Sequence, residues 1–333
     1  MMPKLCAPPT TPGSRILGVG VDRPARVVGN DEICSRIDSS DEWIRQRSGI
    51  VTRRFAEDDE TVIRMAVEAA VKAMAQSGVD PTDVDIVLLA SMSYLQQAPA
   101  AAPRVAHLIG ARTAAGMDIG AACAGFCYAL ALADSLVRSG GVRHAVVIGS
   151  ERMSDIIDPE DRSTAFLFAD GAGAVVVGPS DTPGIGPVVW GVDGGQHHLI
   201  AHDRSWQDVR ERPGPWPALR MAGPEVFRWA IGVLPGVARQ ALAAAGIEAS
   251  ELSAFIPHQA NARIIDATAK ALRLPEHTVV AKDIVEAGNT SAASIPLAMD
   301  SMLSQGTVDS GGLALLIGFG AGLAHAAQVV TLP

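Results

Sequence analysis

The stretch 71–90, VKAMAQSGVDPTDVDIVLLA, returns as 239–258, RQALAAAGIEASELSAFIPH, later in the same chain. In both copies an alanine-rich run ends at a glycine, Gly78 or Gly246, and a polar segment then leads into a short apolar run. The two glycines lie 168 residues apart, whereas the repeats of solenoid proteins have periods of roughly 20–50 residues. The repeat therefore indicates two copies of one larger unit.

The first copy shows what kind of unit is repeated. Between residues 61 and 77 apolar residues recur at helical spacing, and Gly78 ends the run, which predicts an amphipathic helix. Residues 86–90 are continuously apolar and of strand length, as expected for a buried parallel strand. A helix followed by a buried strand predicts an α/β fold.

A second pairing supports the duplication. Cys123 lies 17 residues before Gly140, and Asn289 lies 17 residues before Gly306, each ahead of a predicted helix. We therefore expect Cys123 and Asn289 to occupy equivalent places in two α/β halves that face each other.

The division of the chain follows from its turn-forming stretches. Residues 179–184 have the composition of a linker, so we expect one half at 15–182 and the other at 183–333. Residues 1–14 contain four prolines and are expected to form a disordered lead-in. Residues 194–217 show little periodicity, and we expect a mobile or partner-contacting loop there.

Composition excludes several classes of protein. The chain has 333 residues, 48% of them apolar, 4% aromatic, and a formal charge of −9. Such a charge disfavours nucleic-acid binding, and no stretch approaches the roughly 20 apolar residues that span a membrane. The four cysteines, Cys6, Cys34, Cys123 and Cys127, lack metal-ligand spacing, so we expect no metal and a reduced, cytoplasmic compartment.

Cys123 is a candidate nucleophile because of its position ahead of a predicted helix. The N–H groups and dipole at a helix start stabilise a thiolate. Its neighbours in the stretch 121–125 are alanine or glycine, which leaves room for an acyl thioester. Taken alone, a cysteine among alanines is more often a small core residue than a nucleophile.

His258 and Asn289 are the candidate partners of Cys123. His258 directly follows the apolar run 254–257, where loops of α/β folds gather their sites. Each residue also has a structural explanation, since His258 can be a hydrogen-bonded structural imidazole and Asn289 can cap a helix.

The glycine series 318–322, GFGAG, does not match the spacing of a dinucleotide-binding loop and adjoins a strand. A tight glycine-rich turn can instead direct a backbone N–H at an oxyanion. The N–H groups of Ala321 and Cys123 would form such a pair.

These residues and several motifs resemble the β-ketoacyl-ACP synthase III family, also called 3-oxoacyl-ACP synthase III, of the thiolase superfamily. The resemblance spans nearly the whole chain. Its motifs, in chain order, are DEWI at 41–44 followed by Arg47 and Gly49, ACAGF at 122–126, DR at 161–162, DGAG at 170–173, PHQAN at 257–261, GNTS at 288–291 and GFG at 318–320.

The resemblance implies a thiolase-like fold of two duplicated α/β halves in a five-layer α-β-α-β-α arrangement, assembled as a homodimer. It implies a ping-pong reaction in which an acyl group passes from coenzyme A to a cysteine and then condenses with malonyl-ACP, with release of carbon dioxide. Coenzyme A enters as the thioester substrate, and no separate cofactor is implied.

The family's roles transfer to matching positions. Cys123 would carry the acyl group, and His258 and Asn289 would hydrogen-bond the malonyl thioester carbonyl as it becomes an enolate. Phe319 would shield the site and assist decarboxylation. The backbone N–H groups of Cys123 and Ala321 would hold the oxyanion of the acyl-transfer step.

The resemblance also implies binding residues. Trp43 and Arg162 would lie around the adenine of coenzyme A, with Arg47 near its phosphates and Asn261 also contacting the cofactor-like substrate. Arg263 would meet the acidic acyl carrier protein.

Among the departures from the family pattern, two bear on substrate binding. Pro224 stands where many members have an asparagine, which removes one hydrogen bond expected for pantetheine. Ala98 aligns with a bulky phenylalanine that closes the acyl pocket of acetyl-specific members from across the dimer. The smaller side chain predicts a primer longer or more branched than acetyl.

Three other functions compete with fatty-acid initiation. One is a priming or acyl-transfer step in a polyketide or other specialised pathway. Another is a cysteine acyl-thioester hydrolase, in which water attacks the acyl-enzyme. The last is a non-catalytic scaffold that keeps the thiolase shape, against which the intact set Cys123, His258 and Asn289 argues.

Overall fold

The protein is seen in a computed structural model that describes residues 8–333. In chain order its strands are β1 (Gly13–Asp22), β2 (Arg26–Gly29), β3 (Thr52–Phe55), β4 (Ile86–Ala90), β5 (Ala115–Ile119), β6 (Ala145–Arg152), β7 (Asp170–Ser180), β8 (Val189–Val192), β9 (Ile200–His202), β10 (Leu219–Met221), β11 (Ala254–Pro257), β12 (Val279–Val280), β13 (Leu313–Gly320) and β14 (Ala324–Thr331). Its helices are α1 (Asn30–Cys34), α2 (Asp41–Ser48), α3 (Val62–Ser77), α4 (Ala101–Leu108), α5 (Gly125–Arg138), α6 (Trp206–Glu211), α7 (Gly223–Ala245), α8 (Ala262–Leu272), α9 (Ile284–Ala287) and α10 (Ser294–Ser304).

Two five-stranded sheets have the same strand order. The first runs β1-β7-β6-β4-β5 and the second β8-β14-β13-β11-β12. In each sheet the last three strands are parallel, and the first two pair antiparallel with their neighbours. All strands of the first sheet end by Ser180, and those of the second begin at Val189. The topology is therefore duplicated.

Helices and sheets alternate in five layers. The outer helices α3 and α4 cover one face of the first sheet, and α7 and α8 cover the outer face of the second. Between the sheets lie α5 and α10, whose apolar residues pack with strands of both halves. This confirms the α-β-α-β-α arrangement of a thiolase fold.

The repeated helix-strand unit forms where the sequence predicts it. Helix α3 begins after Thr61, whose hydroxyl accepts the Arg64 N–H, and it ends at Gly78 with φ +70°. Its counterpart α7 ends at Gly246 with φ +68°. Glycine adopts this left-handed conformation without the Cβ clash that other residues meet. Strand β4 spans residues 86–90, and all five are buried.

The predicted equivalence of Cys123 and Asn289 is wrong by three positions. A 3-10 turn, Ala122–Ala124, precedes α5, and a second 3-10 turn, Ser291–Ala293, precedes α10. The counterpart of Cys123 is therefore Ala292. The pairing failed because it counted back from the helix ends, while α5 has 14 residues and α10 has 11.

Two irregular stretches are more ordered than expected. The predicted lead-in extends to residue 14, but Gly13 and Ser14 belong to β1, and the buried Ser14 hydroxyl donates to Asp134 at 2.8 Å; residues 1–7 of that prediction lie outside the described residues. The predicted loop at 194–217 contains β9 and α6, and α6 begins with a capping box between Ser205 and Asp208.

Crossing a bilayer requires a long apolar helix, and none is found among the helices of residues 8–333. The same residues hold no cluster of three or more histidine, cysteine or acidic side chains arranged to bind a metal ion.

Candidate active site

One cavity of about 580 Å³ is lined by residues of both halves. The predicted site residues that line it are Trp43, Arg47, Cys123, Arg162, His258, Asn261, Arg263, Asn289 and Phe319. Residues separated by more than 200 positions in the chain thus meet at one place, as expected where the ends of duplicated α/β units face each other.

Cys123 lines this cavity and is 7% exposed. Gly320 packs so closely that a Cβ at its position would stand 3.0 Å from the Cys123 sulfur, which explains why that residue is glycine. Burial raises the pKa of the Cys123 thiol to about 12. At neutral pH the side chain is therefore a protonated thiol, and not the thiolate that its position before a helix predicted.

His258 follows the last residue of β11 and is 1% exposed. Its Nδ1 lies 2.7 Å from the Ser294 hydroxyl oxygen, which also accepts the Gln259 N–H at 3.2 Å. His258 Nδ1 is the acceptor that the Ser294 O–H finds within residues 8–333, and an O–H donated to Nδ1 favours the tautomer with the proton on Nε2. Burial lowers the pKa of His258 to about 3. The imidazole is therefore neutral near pH 7 and suited to donate from Nε2.

Asn289 is held by its backbone and by one atom of its side chain. Its N–H donates to the Leu167 carbonyl at 2.9 Å, and its own carbonyl accepts the Ala169 N–H at 2.9 Å. The side-chain Oδ1 accepts the Ser291 N–H at 2.9 Å, which is the turn-forming role that the sequence allowed. The Nδ2 group has no hydrogen-bond partner within residues 8–333 and is free to donate to a ligand in the cavity.

Phe319 lies beside the imidazole. Its ring meets His258 edge-on, with 5.2 Å between ring centroids, and is 2% exposed. The two rings therefore pack together out of contact with solvent.

Aromatic and cationic side chains surround another part of the cavity. The Trp43 ring packs edge-on against Phe166 at 5.2 Å, and the guanidinium carbons of Arg162 and Arg47 lie 4.8 and 5.7 Å from its centroid. Asn261 caps α8 by accepting the Arg263 N–H and donates to the Arg47 carbonyl, both at 2.9 Å. Asn261 thus fixes the segment that carries Arg47.

Three predicted positions relate differently to the cavity. Ala321 does not line it, whereas its neighbour Gly320 does. Ala98 is exposed and also lies outside the lining of a single chain. Pro224 lies at the start of α7 and lines the cavity, where its side chain offers no hydrogen-bonding group.

Two residues beside the site were missed by the sequence analysis. One is Ser294, which contacts His258. The other is Glu151 of β6, a fully buried carboxylate that accepts a hydrogen bond from Ser291 at 2.8 Å. Neither occurs in a spacing pattern that signals a site, because their partners lie 36 and 140 residues away in the chain. Only the fold brings them together.

A duplicated five-layer fold with a buried cysteine, a neutral histidine and an asparagine amide in one cavity defines a condensing acyltransferase of the thiolase class. Family models agree with this class. Residues 117–194 match 3-oxoacyl-[acyl-carrier-protein (ACP)] synthase III, and residues 242–332 match its C-terminal domain.

Individual relatives are similar over nearly the whole chain. A protein of Streptomyces glaucescens named beta-ketoacyl-[acyl-carrier-protein] synthase III is 53% identical over 323 residues, covering 97% of both chains. The crystal structure of the priming β-ketosynthase from the R1128 polyketide biosynthetic pathway matches with a TM-score of 0.97 and 50% identity, covering 99% of both chains. The 3-oxoacyl-[acyl-carrier-protein] synthase III of Aquifex aeolicus VF5 matches with a TM-score of 0.88 and 39% identity, covering 96% of this chain and 100% of the other. The chain belongs to the 3-oxoacyl-ACP synthase III family.

Proposed function

We propose that the protein condenses an acyl-CoA primer with malonyl-ACP to give 3-oxoacyl-ACP, coenzyme A and carbon dioxide, the step that initiates fatty-acid synthesis. The observation that carries this proposal is that Cys123 shares one cavity with two neutral donors, His258 Nε2 and Asn289 Nδ2, neither of which has a partner among the described side chains. A hydrolase needs a base to activate water, and a histidine held neutral by burial to a pKa of about 3 is a poor one.

In the first half-reaction the sulfur of Cys123 attacks the carbonyl carbon of the acyl-CoA thioester. The carbon-sulfur bond to coenzyme A breaks, and the acyl group remains on Cys123. We assign the backbone N–H groups of Cys123 and Ala321 to the oxyanion. The Trp43 ring and the Arg162 guanidinium are suited to contact an adenine, and Arg47 is suited to contact phosphate. The Asn261 side chain holds Arg47 in place by donating a hydrogen bond to the Arg47 backbone carbonyl.

In the second half-reaction malonyl-ACP enters the same cavity. Loss of carbon dioxide leaves an enolate, whose carbon attacks the acyl carbonyl and releases the Cys123 sulfur. His258 and Asn289 donate to the thioester oxygen as negative charge develops on it, and this interaction is strong in a site that excludes water. Phe319 excludes water beside His258 and disfavours a charged carboxylate near its apolar ring.

Arg263 is our candidate contact for the acidic carrier protein. Its guanidinium lies over the Phe227 ring, with its central carbon 4.9 Å from the centroid, and both residues line the cavity. The ring holds the cation in place near the opening through which a carrier-bound substrate must reach Cys123. Carrier binding through this residue should weaken as salt increases.

A homodimer is supported by the exposed edges of both sheets. Strand β5 ends the first sheet and exposes 45% of Met117, and β8 ends the second sheet and exposes 52% of Trp190 and 70% of Val192. An unpaired edge with large apolar side chains favours association. Met117→Asp should convert a dimer into a monomer in analytical ultracentrifugation, whereas Leu108→Asp, at another exposed apolar residue (51%), should not.

In a dimer, Ala98 would determine the size of the acyl group that the enzyme accepts. Ala98 of the partner subunit would then close the acyl pocket with a small side chain, so isobutyryl-CoA and longer primers should react well. Efficient reaction of acetyl-CoA together with exclusion of isobutyryl-CoA and longer primers would contradict this assignment. We place the enzyme in the cytoplasm because Cys34, Cys123 and Cys127 are all free thiols.

Mass spectrometry tests the reaction directly. After incubation with acyl-CoA the protein should gain the acyl mass, and addition of malonyl-ACP should remove it with release of carbon dioxide and formation of 3-oxoacyl-ACP. Loss of the acyl mass without a 3-oxo product would indicate a hydrolase. No acyl mass at all would overturn the proposed function.

A priming step in a polyketide pathway is the second candidate. It is favoured by the structural match to the R1128 priming β-ketosynthase, whose TM-score of 0.97 exceeds the 0.88 of the Aquifex enzyme. The chemistry and the catalytic cavity would be the same. A comparison of turnover with malonyl groups on a fatty-acid carrier and on a polyketide carrier distinguishes the two.

A further inference from the structure

One guanidinium joins three carboxylates beside the cavity. Arg220, in the middle of β10, donates to Asp158 at 3.1 Å, to Asp161 at 2.9 Å and to Asp203 at 3.1 Å, each from a different nitrogen. We call these four residues the Arg220 cluster. The residues before and after Arg220 in the strand line the cavity, whereas Arg220 does not, as expected from the alternation of side chains along a strand. The reaction described above makes no use of this cluster.

The Arg220 cluster connects separate stretches of the chain. Asp158 and Asp161 belong to the turn between β6 and β7, Asp203 follows β9, and Arg220 belongs to β10. An isolated pair of exposed charges contributes little to stability. Here one planar guanidinium meets three acceptors, which its fixed fork of donors can do and the single ammonium of a lysine cannot. The turn between β6 and β7 is therefore anchored to the two-stranded sheet of β9 and β10.

Arg162 lies inside the anchored turn. It directly follows Asp161, whose carboxylate accepts the Ser163 N–H at 2.8 Å and the Thr164 hydroxyl at 3.2 Å. Asp161 thus fixes the backbone that follows Arg162, and Asp161 is itself held by Arg220. The position of the Arg162 side chain therefore depends on the Arg220 cluster.

The same cluster leaves the Arg162 guanidinium free for a ligand. Guanidinium groups form their strongest hydrogen bonds with carboxylates, and Asp158 and Asp161 are the carboxylates of its own turn. Both bind Arg220 instead, and within residues 8–333 the Arg162 side chain takes part in no hydrogen bond or ion pair. It lines the cavity, with its central carbon 4.8 Å from the centroid of the Trp43 ring.

We propose that Arg220 is a positioning residue that makes the enzyme selective for thioesters carrying the nucleotide of coenzyme A, because it holds Arg162 over Trp43. The inference rests on the proposed use of acyl-CoA as the acyl donor. A thioester of pantetheine alone has no nucleotide and would reach Cys123 without contacting this part of the cavity. Arg220 therefore contributes to the binding of acyl-CoA and not to the reaction at Cys123.

Steady-state kinetics with two acyl donors test the inference. The donors are acyl-CoA and the corresponding S-acyl-pantetheine, each with malonyl-ACP as acceptor. Arg220→Ala should raise the KM for acyl-CoA by about 3-fold to 10-fold and leave kcat unchanged, because Arg162 is displaced rather than removed. With S-acyl-pantetheine, kcat/KM should stay within about 2-fold of the unaltered protein. A general loss of structure would affect both donors alike.

A double variant shows whether Arg220 acts through Arg162. Arg162→Ala removes the guanidinium that Arg220 positions, so the addition of Arg220→Ala should raise the KM by no more than about 2-fold further. Multiplication of the two single effects would overturn this route. Arg212→Ala is the matched control, since it removes a neighbouring exposed arginine that pairs with Asp208 and not with the cluster. It should change the kinetics with neither donor.

An unchanged KM for acyl-CoA in Arg220→Ala, or an equal loss of kcat/KM with both donors, would overturn the inference and leave the proposed function intact. Failure of both donors to acylate the unaltered protein would overturn the proposed function and the inference together. If Arg220→Ala does not fold, Asp161→Asn carries the test, because it weakens the same ion pair from the other side. It should show the same selective rise in the KM for acyl-CoA.

Discussion

The two 3-10 turns that precede the inner helices have the same backbone and different chemistry. Their first residues, Ala122 and Ser291, have φ of +44° and +48°, and each turn leads into one of the helices between the sheets. The second position is Cys123 in one turn and Ala292 in the other. Ala292 is 1% exposed and is not part of the cavity lining, so the two turns face different surroundings.

This difference shows how a duplicated fold acquires one active site. The backbone geometry, including its strain, is common to both halves, so it reflects the fold rather than the reaction. The candidate nucleophile, Cys123, occurs in only one copy, while the other copy supplies the serine that contacts Glu151 and the asparagine just before the turn. Chemistry therefore depends on side chains that break the symmetry.

The largest effect is expected when Cys123 is replaced by alanine, the residue at the same position of the other turn. Cys123→Ala should reduce condensation by on the order of 10⁶-fold, as loss of other covalent nucleophiles does, and the protein should gain no acyl mass in mass spectrometry. Cys127→Ala removes another fully buried thiol that does not line the cavity and serves as the control. Substantial acylation of the Cys123→Ala protein would show that the nucleophile lies elsewhere.

The hydrogen-bond donors of the C-terminal half, His258 and Asn289, should affect the condensation with malonyl-ACP and not the acylation step. His258→Ala and Asn289→Ala should each slow decarboxylation by roughly 10²–10³-fold, because each removes one donor to the developing enolate. Acylation by acyl-CoA should change far less. Separate measurement of acyl mass and of carbon dioxide release gives both rates. Variants that acylate poorly but decarboxylate normally would reverse these roles.

Ser294 tests the orientation of the histidine. Ser294→Ala removes the hydroxyl at 2.7 Å from Nδ1 and should lower the condensation rate by about 10-fold, the effect of one lost hydrogen bond. The ¹⁵N chemical shifts of His258 should show a change from the Nε2–H tautomer to a mixture. Ser304→Ala, at the exposed end of the same helix, should change neither. A retained Nε2–H tautomer in Ser294→Ala would rule out this function of the hydroxyl.

Smaller effects are expected from residues that bind the coenzyme A part of the substrate, away from the reacting carbon. Arg162→Ala should raise the KM for acyl-CoA by about 5-fold to 30-fold and leave kcat unchanged, because a cation over an aromatic ring contributes about 1–2 kcal/mol to ligand binding. Arg112→Ala, at an exposed position that does not line the cavity, is the control. A fall in kcat without a change in KM would place Arg162 in the reaction rather than in binding.

The smallest effect tests the equivalence of the halves. Gly78→Ala and Gly246→Ala each place a Cβ on a left-handed residue with nothing within 4 Å, so only backbone strain should count. Each change should lower the free energy of unfolding by about 1–2 kcal/mol, measured by urea denaturation. A much larger loss at one position would show that the two helix ends are packed differently.

Local patterns predicted the parts of the fold that local physics determines. The bounds of α3 and β4 follow from helical spacing, a continuous apolar run and Gly78. The same patterns could not reveal that α5 is longer than α10, so the pairing of Cys123 with Asn289 had the wrong register. The prolines near the start of the chain also gave no sign that Ser14 would be buried in a sheet.

The active site could be predicted only in part from the sequence, for the same reason. Cys123, His258 and Asn289 occur in motifs, and the cavity brings them together. Glu151 accepts hydrogen bonds from Ser91, Ser93 and Ser291, and no single stretch of sequence contains that arrangement. Ala98 and Ala321 are motif positions whose predicted roles still await a test.

Of the two equivalent turns, only the one with Cys123 should carry the acyl group. Peptide mapping by mass spectrometry after brief exposure to acyl-CoA tests this most directly. The acyl mass should be found on the peptide that contains Cys123 and should disappear on addition of malonyl-ACP. An acyl mass on Cys6, Cys34 or Cys127, or an unlabelled Cys123, would contradict the account.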